Sequence, residues 1–254
     1  MSDEKKDERK VHDFSRRKFM KNTGYVAGGA IGGGLLTSLL GTSIWGGDQK
    51  TAPTTTTDGA DSYNRALMYF TRRKDFDILS AATERIFPED ENGPGAIGLG
   101  APYFIDHQLA GDYGKNEREY MQGPFFQGSK YQGYQTPLRR HEVFMTGIRA
   151  LEAESQASYN TSFVELEGEQ QDDILTRMEN DEIKLKNVSS AYFFNQLRTA
   201  TLSGTYADPL YGGNADMEAW KMKEYPGSRM TYLQEIESNK FIEFEPQSLK
   251  DHLH

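Results

Sequence analysis

The chain runs to 254 residues without a cysteine, and its 38 Asp and Glu outnumber its 29 Lys and Arg. The missing thiols exclude disulfides, thiolate-held iron–sulfur clusters, covalent c-type haem and a cysteine nucleophile, and a mean hydropathy of -0.73 excludes a multispanning membrane body. Residues 1–21 take eight of the basic side chains but only five of the acidic ones, leaving 21 basic against 33 acidic residues in the remainder; a body of that sign repels phosphate backbones, so no nucleic-acid partner is expected.

Residues 1–45 read as an address rather than as domain material. Ser15-Arg16-Arg17-Lys18-Phe19-Met20-Lys21 matches the twin-arginine motif, with Met20 where Leu is usual. Asn22 to Trp45 then carry no charge and are only mildly apolar and Gly-rich, the form expected of a signal helix read by the twin-arginine translocase. Such a chain is expected to be exported in folded form to the outer face of the cytoplasmic membrane, the periplasm or the cell-wall space. No A-x-A cleavage site follows, although Gly41-Thr42-Ser43 offers small residues. Left uncut, the 24 uncharged residues would span about 36 Å as a helix, enough to anchor the chain in a ~30 Å hydrocarbon core. Residues 46–60, GGDQKTAPTTTTDGA, have no apolar period and read as a disordered linker.

Residues 61–254 read as one mostly α domain with long Gly/Pro/aromatic loops, large enough to bury about 70% of its unfolded surface. Asp75 can cap a helix with Phe76, Leu79, Ala82 and Ile86 on one face, stopped by Pro88. Thr136-Pro137 offers a cap and a first-turn Pro to a long helix with Phe144, Ile148 and Leu151 inward. Gln170 to Met178 is a shorter amphipathic segment with Ile174, Leu175 and Met178 inward. Ser189 or Ser190 caps a helix with Phe193, Phe194, Leu197 and Thr201, ended by Gly204. No alternating run is long enough for a sheet.

Three stretches between these helices read as loops. Pro88 to Ala96 leads into Tyr103-Phe104-Ile105-Asp106-His107-Gln108-Leu109; Met121 to Thr136 interleaves aromatics with Gly; Tyr206 to Asn214 precedes Trp220-Lys221-Met222. Loops so rich in Tyr, Phe and Trp are either packed on their own domain or used as contact surface. Tyr103, Tyr206, Asp208, Tyr211, Asn214 and Trp220 are the candidate partner-interface residues, since Tyr and Trp bring large contact area at small conformational cost. Gly212-Gly213 suits a turn needing positive φ, and Asp208 before Pro209 an Asx turn.

Chemistry-bearing patterns are sparse. Of the five histidines, His12 lies in the signal and His252 and His254 in the tail, while neither His107 nor His141 has a Glu three residues before it. His107 is expected to serve as a structural hydrogen-bonding group. No H-E-x-x-H, G-x-S-x-G or Walker sequence occurs, and no catalytic, cofactor-binding or metal residue is assigned.

The runs from Ile86 to Gly111, from Tyr131 to Glu152 and from Phe193 to Gly227 together resemble the gluconate 2-dehydrogenase subunit 3 family, in the family's order, over roughly Phe76 to Gly227. Tyr206 to Asn214 with Trp220-Lys221-Met222 is the most specific part; Ala219 departs from it, standing where Gly is expected before the Trp. The resemblance implies a non-catalytic small subunit whose partner is a large FAD-containing subunit of the glucose–methanol–choline type, in many members with a cytochrome c subunit. FAD, substrate site and catalytic base then belong to the partner, and the small subunit carries the export signal for both. The competing readings are a stand-alone exported glycan-acting enzyme and an anchored binding protein.

Overall fold

The computed structural model describes residues 65–253 apart from Gln127 and Lys130. The twin-arginine motif, the signal helix and the linker fall outside the described residues. Among those residues the chain forms seven α-helices joined by loops and short 3-10 turns, and no strand; the few β-contacts are isolated bridges. The helices are α1 Arg73–Ile86, α2 Ala101–Ala110, α3 Asp112–Lys115, α4 Arg140–Tyr159, α5 Gly168–Glu179, α6 Ser190–Thr205 and α7 Glu218–Lys221. The mostly α expectation is met.

The apolar spacings of α1, α4, α5 and α6 converge on one core. Phe76, Leu79 and Ala82 of α1, Phe144, Ile148 and Leu151 of α4, Ile174 and Met178 of α5, and Phe193 and Leu197 of α6 are all buried in it. The crossing of α4 and α6 depends on Gly147: a Cβ there would lie 2.2 Å from the Phe193 ring, so the two helices approach only because this residue has no side chain. Phe144 and Phe193 meet edge to face with centroids 6.1 Å apart. Around the core, ion pairs tie helices together: Arg85 of α1 is bidentate to Asp172 of α5 at 2.9 and 2.7 Å, and Arg177 of α5 reaches Glu154 of α4 at 2.6 Å.

Several boundaries differ from the sequence reading. Asp75 is not the cap of α1 but its third residue, buried, with Arg72 in the cap position 3.8 Å from its carboxylate. Helix α4 starts three residues beyond Thr136-Pro137, because the Glu142 carboxylate accepts the Arg139 N–H at 2.8 Å and fixes the first turn there. Thr136 instead accepts from Leu138 N and donates to Asn187 O, closing a turn before the helix. Ser189 is the cap of α6, accepting from Tyr192 N at 3.1 Å. Gly204 does not end α6; it lies inside its last turn, where a Cβ would meet Phe104 and Ala101 of α2 at 2.9–3.2 Å. Tyr103 to Leu109, read as a continuation of a loop, is the body of α2, entered through Gly100 in the left-handed region and Pro102 in the first turn.

Candidate subunit interface

The segment after α6 is folded by its own side chains. Tyr206 ends the helix, and Asp208 forms the expected Asx turn by accepting Leu210 N at 2.9 Å, ahead of the 3-10 turn Pro209–Tyr211. Gly212 takes φ 91°, a left-handed conformation that L-residues adopt at a cost, and a Cβ on Gly213 would lie 2.1 Å from Gly204 O. Asn214, Asp216 and Met217 follow with φ of 47°, 54° and 58°. Each such residue costs about 1–2 kcal/mol, so the surroundings must hold them there. Two hydrogen bonds do so: Asn214 Oδ1 accepts Ala219 N at 2.9 Å, and Ala215 N donates to Leu99 O at 3.0 Å. Ala219 sits inside the short helix α7, fully buried, where Ala serves as well as the Gly expected there.

Trp220 closes the structure from the other side. Its Nε1 donates to Tyr206 O at 3.0 Å, which returns α7 to the end of α6, and its ring meets Tyr225 edge to face at 5.3 Å. Tyr206 packs edge to face against Phe87 at 6.0 Å, with the Lys223 ammonium 5.7 Å from its centroid.

Of the six candidate interface residues, the structure turns four inward or partly inward around this loop. Asn214, Trp220 and Asp208 are buried, so what they offer a partner is the shape they impose on the loop rather than their own surface. Tyr206 is half-buried beneath Phe87 and Lys223. Tyr103, half-buried on α2, lies 4.9 Å from the Phe76 ring in the core and not in the loop. Tyr211 alone of the six is exposed, at 53%, beside exposed Leu210. The Met121–Thr136 loop also divides: Tyr134 stacks on Tyr192 of α6 at 4.1 Å and accepts Ser189 N, while Phe126 points outward.

Beside this loop lies an anchor that sequence spacing did not single out. Asp106 of α2 is fully buried, and its carboxylate accepts the N–H groups of Met68 at 2.5 Å, Tyr69 at 3.1 Å and Phe70 at 2.8 Å. Its neighbour His107 bonds Ala66 O at 2.8 Å through Nε2, which must carry the proton because a carbonyl only accepts. This is the structural hydrogen-bonding role expected of His107. The other face of its ring borders Gly212, where a Cβ would lie 3.5 Å from Nδ1. Consecutive residues of α2 therefore fix residues 66–70 against the flank of the Tyr206–Asn214 loop. Tyr69 adds a bond from its hydroxyl to His141 O at 2.8 Å, and burial pushes the phenol up to about 12. The readable signal for Asp106 was an acid inside the apolar run Phe104-Ile105-Asp106, where an ionised group survives burial only with several donors.

The other strongly organised carboxylate is Glu152 on α4. Burial opposes its ionisation, but the Lys74 ammonium at 2.6 Å and donors from Phe163 N, Ser162 and Gln156 outweigh it and hold the carboxyl down to about 2. These contacts join α1, α4 and the 3-10 turn Phe163–Glu165, which marks Glu152 as a fastener of the bundle. Among the described residues no group of three or more His, Asp or Glu is placed to hold a metal ion.

The family model of gluconate 2-dehydrogenase subunit 3 matches residues 73–227, from the start of α1 through the Trp220 turn. The chain belongs to that family. Membership places it in an oxidoreductase complex of the gluconate 2-dehydrogenase type, beside other subunits. The matched span takes in α1 to α7 and the folded loop Tyr206–Asn214, and ends before the C-terminal segment. No curated protein and no solved structure matches the chain.

Proposed function

We propose that this chain is the non-catalytic small subunit of a membrane-associated, FAD-dependent dehydrogenase acting on gluconate or a related sugar. It carries the twin-arginine signal and escorts a folded flavoprotein of the glucose–methanol–choline type through the translocase. The family match over residues 73–227 carries the reading, and the motif Ser15 to Lys21 supplies the export half. The physical logic links the two: FAD must be inserted into a protein that folds in the cytoplasm, so a pathway for folded cargo suits the pair. Flavin, substrate site and catalytic base lie in the partner, and a cytochrome c subunit takes the electrons where one is present. The small subunit meets its partner through the Tyr206–Asn214 loop, with Tyr211 as its exposed anchor.

The test purifies the tagged full chain from native membranes and reads the flavin spectrum and acceptor-linked sugar oxidation of what comes with it. A yellow, active complex is expected. Arg16→Lys with Arg17→Lys should leave both proteins in the cytoplasm; export of either at the normal level in that double variant refutes the escort.

A further inference from the structure

The C-terminal segment beyond the family match is held firmly at its base and presents apolar side chains at its tip. The base is a knot of hydrogen bonds. Fully buried Ser248 donates to Asp208 Oδ1 at 2.6 Å, Leu249 N donates to Asp208 Oδ2 at 2.8 Å, Ser228 N donates to Gln247 O at 2.7 Å, and His252 Nε2 bonds Ser228 O at 2.6 Å. Between these pins residues 229–246 form an excursion stiffened from within. The Arg229 guanidinium lies 3.9 Å from the Phe244 centroid and 5.4 Å from that of Tyr232, and bonds Glu235 at 3.3 Å. A turn follows in which Glu235 N and Ile236 N both donate to Tyr232 O.

That ordered frame leaves Met230, Leu233, Ile236 and Phe241 at 70–88% exposure. Isolated apolar residues on a surface need no explanation, but four on one pinned excursion of 18 residues do. The charges select the occupant. Residues 229–246 carry Glu235, Glu237, Glu243 and Glu245 against Arg229 and Lys240, and Arg229 is already engaged with Glu235. Acidic flanks repel an anionic bilayer and repel a second copy of this equally acidic chain. They complement an apolar groove with a basic rim on a different protein.

We infer that residues 229–246 are a docking arm that seats Met230, Leu233, Ile236 and Phe241 in an apolar, basic-rimmed groove of the flavoprotein subunit. The inference rests on the complex proposed above and adds a second contact to it. Because Asp208 both shapes the Tyr206–Asn214 loop and pins the arm, the two contacts are presented as one unit. Lying outside the span the family shares, the arm would match this chain to its own flavoprotein.

The test measures the dissociation constant between the full chain and the flavoprotein that co-purifies with it from native membranes. Leu233→Asp with Phe241→Asp should weaken binding by at least about thirtyfold with an unchanged melting temperature. Phe241→Ser alone should weaken it by a smaller factor, which keeps the test open if the double variant is unstable. Glu237→Lys with Glu243→Lys should weaken it about three- to tenfold, less at high salt. If the wild-type chain binds and the arm variants bind equally well, the arm is overturned while the complex stands; if the wild-type chain does not bind, the complex itself falls and the arm with it. Two further outcomes overturn the arm in favour of another occupant, each with flavoprotein affinity unchanged: loss of binding to phosphatidylglycerol vesicles, or conversion of a wild-type dimer to a monomer.

Discussion

Replacing Asp106 by Ala should show how strongly α2 holds the start of the folded body. Three N–H donors lose one acceptor group, but they do not lose equally. Met68 is exposed, so water takes over its N–H at little cost. Tyr69 is half-buried and Phe70 is buried, and an unsatisfied buried donor costs about 1–3 kcal/mol. Relief from burying a carboxylate offsets part of this, which leaves a net loss of about 2–4 kcal/mol. For a body of this size, at about 2–4 °C per kcal/mol, the melting temperature should fall by roughly 4–16 °C. Asp106→Asn is the informative control. Its amide oxygen can stay on Tyr69 and Phe70 while the NH2 faces Met68, so it should cost only about 1–2 kcal/mol. Circular dichroism melts and hydrogen exchange at the amides of residues 68–70 measure both effects. A shift under about 2 °C in the Ala variant, with those amides still protected, would refute the reasoning.

The bundle supplies two further expectations. Gly147→Ala gains about 1 kcal/mol in helix propensity but drives a Cβ into the buried Phe193 ring, so a net loss of about 1–3 kcal/mol is expected in urea titrations; a more stable variant would show that α4 and α6 can separate freely. Glu152 has its carboxyl lowered from 4.5 to about 2, so its contribution is fully present above pH ~4.5 and is lost as pH falls towards 2. Denaturation midpoints of Glu152→Gln should therefore lie below wild type at pH 6 and converge with it near pH 2, and a constant gap across that range would assign the loss to packing instead.

Helices whose apolar faces repeat cleanly could be read before any coordinates. Phe76-Leu79-Ala82, Ile174-Leu175-Met178 and Phe193-Leu197 each mark a stripe that the core then buries, so α1, α5 and α6 were legible. Their starts were less so, because capping by side chains competes with neighbours: Glu142 draws the start of α4 to Arg140 although Thr136-Pro137 offers an equally plausible beginning. Helix α2 was hidden by Asp106 and His107, polar residues in the middle of an apolar run that point at residues 66–70 rather than at solvent. The turn chemistry of Asp208 and Gly212 was visible locally, whereas the burial of Asn214 and Trp220 was not, since it depends on partners at Ala219 and Tyr206. The C-terminal arm escaped for a related reason. Its apolar residues follow no helical or strand period, and only the distant pins at Asp208 and Ser228 give them a fixed direction.

The seizure of residues 66–70 by α2 also sets where mechanical force enters this protein. Tension arriving from the N-terminal side meets Ala66 O at His107 and the three N–H groups at Asp106 before it reaches the first turn of α1. One carboxylate holding three adjacent amides makes them yield together rather than peel one at a time, so a pull strong enough to unwind α1 must first break the whole cluster. A pull from that side thus spares the helix that opens the core and is absorbed by α2, the element whose His107 ring borders Gly212 of the Tyr206–Asn214 loop.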